Sequence, residues 1–245
     1  DRCLNLKLQV ASYLLCMICF DRYRREGGRW EIITEHSMGI YAALAAAGSV
    51  TFEDGLEMVK GIGLILEEMG SKRPGAMAAI IGLDRDDVQR ICQEIDDLYV
   101  ANLNGSRHFV ISGKVVAVND GMELALKRGA ISVQRLTFNV PLHSPLMEPI
   151  KEQVRHLLND FRISAPQIPL ISHWGGQPLR DPAEIREFLV QQLYRPVDWE
   201  GCVRSLIADG VKCFVEVGAS DTLTKLIRWI DREAKTLLYG VTDDP

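Results

Sequence analysis

The sequence predicts an α/β protein, a mostly parallel sheet covered by helices on both faces and interrupted by a small inserted subdomain. Two observations carry this. Short apolar strands alternate with amphipathic helical stretches at both ends of the chain. Between residues 75 and 140 the order changes to strand, helix, two strands, helix, strand, the split βαβ pattern of a ferredoxin-like (βαββαβ) unit. Pro74 and Pro141 mark its two boundaries. The expected domains are therefore a core of residues 1–74 and 141–245 and a subdomain of residues 75–140.

Taken in order, residues 4–26 have apolar positions at helical spacing, with Arg22, Arg24 and Arg25 in the last turn, where cations suit the helix dipole. Gly27 and Gly28 stop that helix. Residues 30–34 form a β-type run, and the Ala-rich stretch 40–47 reads as a tightly packed helix. Residues 51–69 make another, with Phe52, Leu56, Val59, Ile62 and Leu66 on one side. In the insert, strands are expected over 76–83, 98–103, 108–112 and 131–138, and helices over 84–95 and 114–127. Beyond it, helices are expected over 146–161, 182–192, 199–209 and 222–234, and strands over 168–172, 213–217 and 237–241.

Composition narrows the function classes. The 245 residues carry 28 Lys+Arg against 33 Asp+Glu, a net charge of −5, whereas a protein that neutralises nucleic-acid phosphates needs a basic surplus. No run approaches 18 apolar residues without a charge, which excludes a membrane-spanning helix. Six cysteines are too few for a disulfide scaffold. Cys16 and Cys19 have C-x-x-C spacing but lie in the apolar run 10–20, which reads as a buried helix, so they read as packed free thiols of a cytoplasmic protein. No metal site and no nucleotide-binding glycine loop is suggested.

The chemistry starts at Glu35-His36-Ser37-Met38-Gly39, which lies between a strand and a small-residue helix. That is the setting of a nucleophile elbow, as in an α/β-hydrolase-like core: a sharp turn lifts the serine Oγ above the sheet, and the helix N-terminus offers an N–H to an oxyanion. The alternative for Ser37 is a simple helix N-cap. A serine nucleophile needs a base, and five histidines are available. His36 adjoins Ser37 and points elsewhere on a turned backbone. His108 starts a strand of the insert, and His156 is mid-helix. His173 ends a strand, and His143 sits where the chain leaves the insert. A junction lines the cleft between lobes, so position favours His143 over His173.

These residues resemble the malonyl-CoA:acyl-carrier-protein transacylase family, which includes acyltransferase domains of fatty-acid and polyketide synthases. Besides the elbow, the resemblance rests on Gly75-Ala76-Met77-Ala78-Ala79-Ile80-Ile81-Gly82-Leu83, on Asn102-Leu103-Asn104 with Val110-Ile111-Ser112-Gly113, and on Val140-Pro141-Leu142-His143-Ser144 with Leu146-Met147. Gln192-Leu193-Tyr194 with Pro196, Val197 and Trp199, and Glu216-Val217-Gly218 with Leu223, Thr224 and Leu226, complete it. It implies that Ser37 takes an acyl group from a coenzyme A thioester and passes it to the thiol of an acyl carrier protein, with no permanently bound cofactor. It further implies His143 as the base, the Gln192 backbone carbonyl as its orienting partner, and the Met38 backbone N–H as an oxyanion donor. Ile62, His36, Asn102 and Leu142 fall at substrate-binding positions.

Three departures sharpen the expectation. The family holds the malonyl carboxylate with an arginine 25 residues after the nucleophile, and here that position is Ile62. Lys60 cannot substitute, because residues i and i+2 of a helix do not share a face. An uncharged acyl group is therefore expected. Glu35 replaces the first glycine of the elbow, and Ile40 replaces an acidic residue that usually follows it. A water held by Glu35 would make the chain an acyl-thioester hydrolase, and a degenerate scaffold is a further alternative. The family's first strand and its G-Q-G-S-Q loop are expected to be missing from this chain. Arg22, Arg24, Arg25 and Arg29, or Lys72 with Arg73, are candidate contacts for an acidic carrier or for coenzyme A phosphates; the alternative is solvated helix ends.

Overall fold

The computed structural model describes residues 3–240. Helix α1 (Leu4–Arg25) is stopped by the glycine pair at 27 and 28. It buries Asn5, Gln9, Tyr13 and Cys19 while Ile18 is 61% exposed, so the expectation of a buried apolar helix is corrected. Helix α1 is also long and apolar enough to cross a bilayer, with a mean hydropathy of 1.3 over its most apolar stretch, contrary to the expectation that no helix here could span one. Its contacts tie it into the domain instead. The Tyr13 hydroxyl donates to the Phe52 carbonyl at 2.8 Å, and Gly63 leaves room for Leu6, whose Cα would lie 2.8 Å from an added Cβ.

Strand β1 (Ile33–Thr34) leads into a 3-10 turn, Ser37–Gly39, then α2 (Ile40–Ala46) and α3 (Phe52–Lys72). Thr51 caps α3 by accepting from the Asp54 N–H. The insert follows as β2 (Gly75–Ile81), α4 (Arg85–Glu94), β3 (Leu98–Gly105), β4 (His108–Lys114), α5 (Val115–Lys127) and β5 (Ser132–Arg135). Its strands pair antiparallel in the order β5-β2-β4-β3, around a core of Ile80, Val88, Ile91, Phe109 and Ile111.

The chain then runs through a 3-10 segment, Pro145–Ile150, into α6 (Lys151–Asn159); Pro145 and Pro149 account for the irregular first turns of the expected helix. Next come β6 (Leu170–Ile171), β7 (Pro178–Leu179), α7 (Pro182–Gln191), β8 (Val197–Asp198), α8 (Trp199–Ala208), β9 (Cys213–Gly218), α9 (Thr222–Ile230) and β10 (Lys235–Gly240). Helix α9 stops short of 234 because Asp231 is extended, and residue 241 of the expected last strand lies outside the described residues.

Among the described residues the strands form three sheets, one of them the insert's, so the remaining strands make two small sheets in place of the single core sheet expected. β1 and β6 pair parallel, with β7 antiparallel beyond them, and β9 and β10 pair parallel. β8 joins the insert, parallel to β3. The main core, including Leu44, Met58, Leu66, Val154 and Phe188, lies under the turn at Ser37 and the junction at His143.

Candidate active site

After β1 the chain passes through an extended His36 into Ser37, which holds φ 57°. Few non-glycine residues occupy this left-handed region, and a serine found there invites a functional reading. The next residue, Met38, lies in the first turn of the following helical segment, where backbone N–H groups have no helical acceptor.

His143 follows the insert and also has a positive φ, 58°. Its backbone N–H donates to the Leu193 carbonyl at 2.8 Å. Its Nδ1 lies 2.7 Å from the Gln192 carbonyl oxygen, which can only accept, so Nδ1 carries the proton of the neutral ring. Nε2 is then the acceptor for the Ser37 hydroxyl at 2.7 Å. Gln192 is placed by α7, which Asp181 caps through the Ala183 and Glu184 N–H groups and whose last residue is Gln191. Burial pushes the His143 imidazole down to about 3, the neighbouring His173 adds to this, and the Gln192 carbonyl opposes it. The ring is therefore a neutral base at ordinary pH.

Beside the pair is a narrow cleft walled by Met38, Tyr41, Ile62, Leu142 and Leu193, with a volume of ≈10 Å³, room for about one water. Ile62 and Leu142 are thus brought beside Ser37 and His143. Among the described residues no Lys or Arg lines this cleft; Lys60 is turned to the Glu57 carboxylate at 2.7 Å. His36 and Asn102 do not line it. The His36 ring lies 2.9 Å from Asn104 Oδ1 and edge-on to Trp199, while the buried Asn102 sits in β3 opposite Val197 of β8. Gln9 and Tyr41 also line the cleft, and sequence reasoning missed both. Tyr41 stands four residues after Ser37, one helical turn away, which was the available signal. Gln9, whose buried Oε1 has no partner, interrupts the apolar pattern of α1. A larger groove of ≈970 Å³ lies between α1 and residues 45–48, away from Ser37 and His143.

The rival base, His173, is committed elsewhere. Its backbone N–H donates to Glu35 Oε1 and its Nδ1–H to Glu35 Oε2, both at 2.9 Å, with the two side chains 0% and 1% exposed. Glu35 is thereby tied to His173, sealed from solvent, and does not line the cleft beside Ser37. The thiols are packed as anticipated: Cys16 is half-buried, Cys19 buried, and burial pushes the Cys16 thiol up. The expected basic patches are largely neutralised, Arg22 by Glu26, Arg24 and Arg25 by Asp21, and Lys72 by Glu68.

The acyl transferase domain model matches residues 7–235. The chain belongs to this acyltransferase family. A malonyl CoA-acyl carrier protein transacylase of Bacillus subtilis is 32% identical over 238 residues, covering 96% of this chain and 75% of that protein. The polyketide biosynthesis protein ThaF of Burkholderia thailandensis is 34% identical over 225 residues, which is 91% of this chain and 19% of that protein. Among solved structures, the transacylase of Coxiella burnetii superimposes with a TM-score of 0.91 at 31% identity, over 96% of this chain and 76% of that one. A malonyl-transacylase in complex with a type II polyketide acyl carrier protein gives 0.91 at 28% identity, over 97% of this chain and 78% of that one. The chain shares with these relatives a mixed α/β fold, and with the family an enzyme class, acyl transfer.

Proposed function

We propose that this chain moves an uncharged acyl group from coenzyme A to the thiol of an acyl carrier protein through an ester on Ser37. The 2.7 Å contact between Ser37 Oγ and His143 Nε2, with Nδ1 held by a carbonyl, is the observation that carries this reading. His143 Nε2 takes the hydroxyl proton as Ser37 Oγ attacks the thioester carbonyl, and the Met38 N–H receives the developing oxyanion. Collapse forms the ester and expels the coenzyme A thiolate, which takes the proton from Nε2. The carrier's thiol then gives its proton to Nε2, attacks the ester, and Ser37 recovers its hydrogen as the acyl carrier leaves.

The choice of acyl group rests on Ile62. A carboxylate buried against this side chain has no partner and carries a desolvation cost of at least a few kcal/mol, more than about 100-fold in selectivity. The malonyl carrier chemistry named for the relatives supports the coenzyme A thioester and the carrier as partners, with no resident cofactor. The four-stranded order β5-β2-β4-β3 supports a ferredoxin-like insert over residues 75–140, within an α/β-hydrolase-like core of residues 1–74 and 141–245. The free thiols fit a cytoplasmic setting.

Intact-mass measurement after incubation with acetyl-CoA or malonyl-CoA tests the proposal. An acetyl ester on Ser37, little malonyl ester, and restored malonyl loading in Ile62→Arg are expected; robust malonyl loading of the native protein overturns the substrate assignment. No ester with any acyl-CoA would favour a scaffold. Free acid released without a carrier would favour a hydrolase.

A further inference from the structure

We propose that Glu35 and His173 form a buried brace that positions the nucleophile, a role that rests on Ser37 being the attacking group. The backbone ladder between β1 and β6 ends early: Ile33 pairs with Leu170 and Thr34 with Ile171, and the pairing stops there. Immediately afterwards the chain must turn sharply enough to place Ser37 in a left-handed conformation. The Glu35 side chain takes over where the ladder stops. Its two oxygens grip His173, 138 residues away, at the backbone N–H and at ring Nδ1.

His173 is itself fixed from the other sides. Its carbonyl accepts from the Asp198 N–H at 2.9 Å, and its ring packs on Phe188 at 5.1 Å between centroids. The Ser37 backbone nitrogen lies 3.4 Å from the same Nδ1, which donates its proton to Glu35 and cannot also accept, so the brace ends in packing contact with the nucleophile's own main chain. Both side chains are sealed from water, which leaves the carboxylate no competing donor from solvent. Neither residue reaches the Ser37 hydroxyl; both act through the backbone that carries it. They are positioning residues.

The brace requires a donor at the Nδ1 position of residue 173. An asparagine amide nitrogen falls near Nδ1 of a histidine, whereas a glutamine amide nitrogen falls near Nε2, away from Glu35. The test is covalent labelling of Ser37 by a fluorophosphonate, read as kinact and KI, in the native chain and in His173→Asn, His173→Gln, Glu35→Ala and the Glu35→Ala/His173→Gln double variant. His173→Asn is expected to keep kinact within about 3-fold. His173→Gln and Glu35→Ala are each expected to lower it about 30-fold with KI within about 2-fold, since a displacement near 1 Å at a reacting pair costs up to about 100-fold. The double variant is expected to fall no further than the worse single variant, because one interaction is lost only once. Should Glu35→Ala fail to fold, the Asn-against-Gln contrast at position 173 still decides. Equal kinact for those two variants, with the native chain labelled normally, overturns the brace alone. A native chain unlabelled at Ser37 overturns the nucleophile assignment, and the brace with it.

Discussion

Gln192 meets His143 through its main chain: the carbonyl oxygen, not the amide side chain, lies 2.7 Å from Nδ1. Every residue has a carbonyl there. Gln192→Ala is therefore expected to keep labelling of Ser37 within about 5-fold, whereas His143→Ala is expected to lose about 10³-fold, the scale of a general base in such pairs. Fluorophosphonate kinetics on the two variants check this, and comparable losses in both would contradict it.

The pH dependence follows from the depressed imidazole. Burial holds the His143 ring down to about 3, so the base form persists through the range in which an ordinary histidine, near 6.5, would protonate. Labelling of Ser37 is expected to stay flat between about pH 8 and pH 5 and to fall only as pH approaches 3. The unfolded chain binds this proton below about 6.5 and the folded chain does not, so His143 costs stability as pH drops from 6.5 toward 3. Equilibrium denaturation at several pH values reads that slope.

Truncating the cleft wall gives a separate handle. Ile62 is 1% exposed and packs among the buried residues of α3. Ile62→Ala is expected to cost about 2–3 kcal/mol in urea unfolding, at the low end for such a deletion because the space opens onto the cleft. The same change should admit longer acyl chains. Competition between acetyl-CoA and butyryl-CoA for ester formation measures the shift.

Gly113 shows how tightly the insert is built. A Cβ there would collide with the Asp97 carbonyl oxygen, a backbone atom that cannot swing aside. Gly113→Ala is expected to lower stability by about 3 kcal/mol, from overpacking against main chain, while labelling of the folded fraction keeps its native rate. A thermal melt unchanged from native would refute this.

Legibility in the sequence followed locality. The strand–turn–helix around Ser37 and the stripe of α3 are short-range patterns, and Val59, Ile62 and Leu66 are buried where the spacing put them, although Phe52 is exposed. His143 was legible from its junction position. The Gln192 carbonyl was not, except by resemblance, because a main-chain acceptor leaves no residue-type signature. Glu35 and His173 read as an anomaly and a rival base; only folding across 138 residues makes them a pair. The two-residue strand β7 escaped notice, and β8 was hidden in the approach to a helix, because their pairing is set by distant partners. His36 adjoins Ser37 in the chain, yet its ring turns to Asn104, and Asn102 lies in β3 with no cleft-lining neighbour in sequence.

Both ends of the Ser37–His143 hydrogen bond grow from left-handed backbone, at φ 57° and 58°. Each such conformation costs on the order of 1 kcal/mol for an L-residue, and it is held only while the surrounding structure is intact. The couple is thus spring-loaded at both anchors. Loosening either anchor, well before helices or sheets melt, lets the torsions relax and pulls oxygen from nitrogen. Chemistry at this site reports the tautness of its scaffold, and in mild denaturant it should be silenced ahead of the far-ultraviolet circular dichroism.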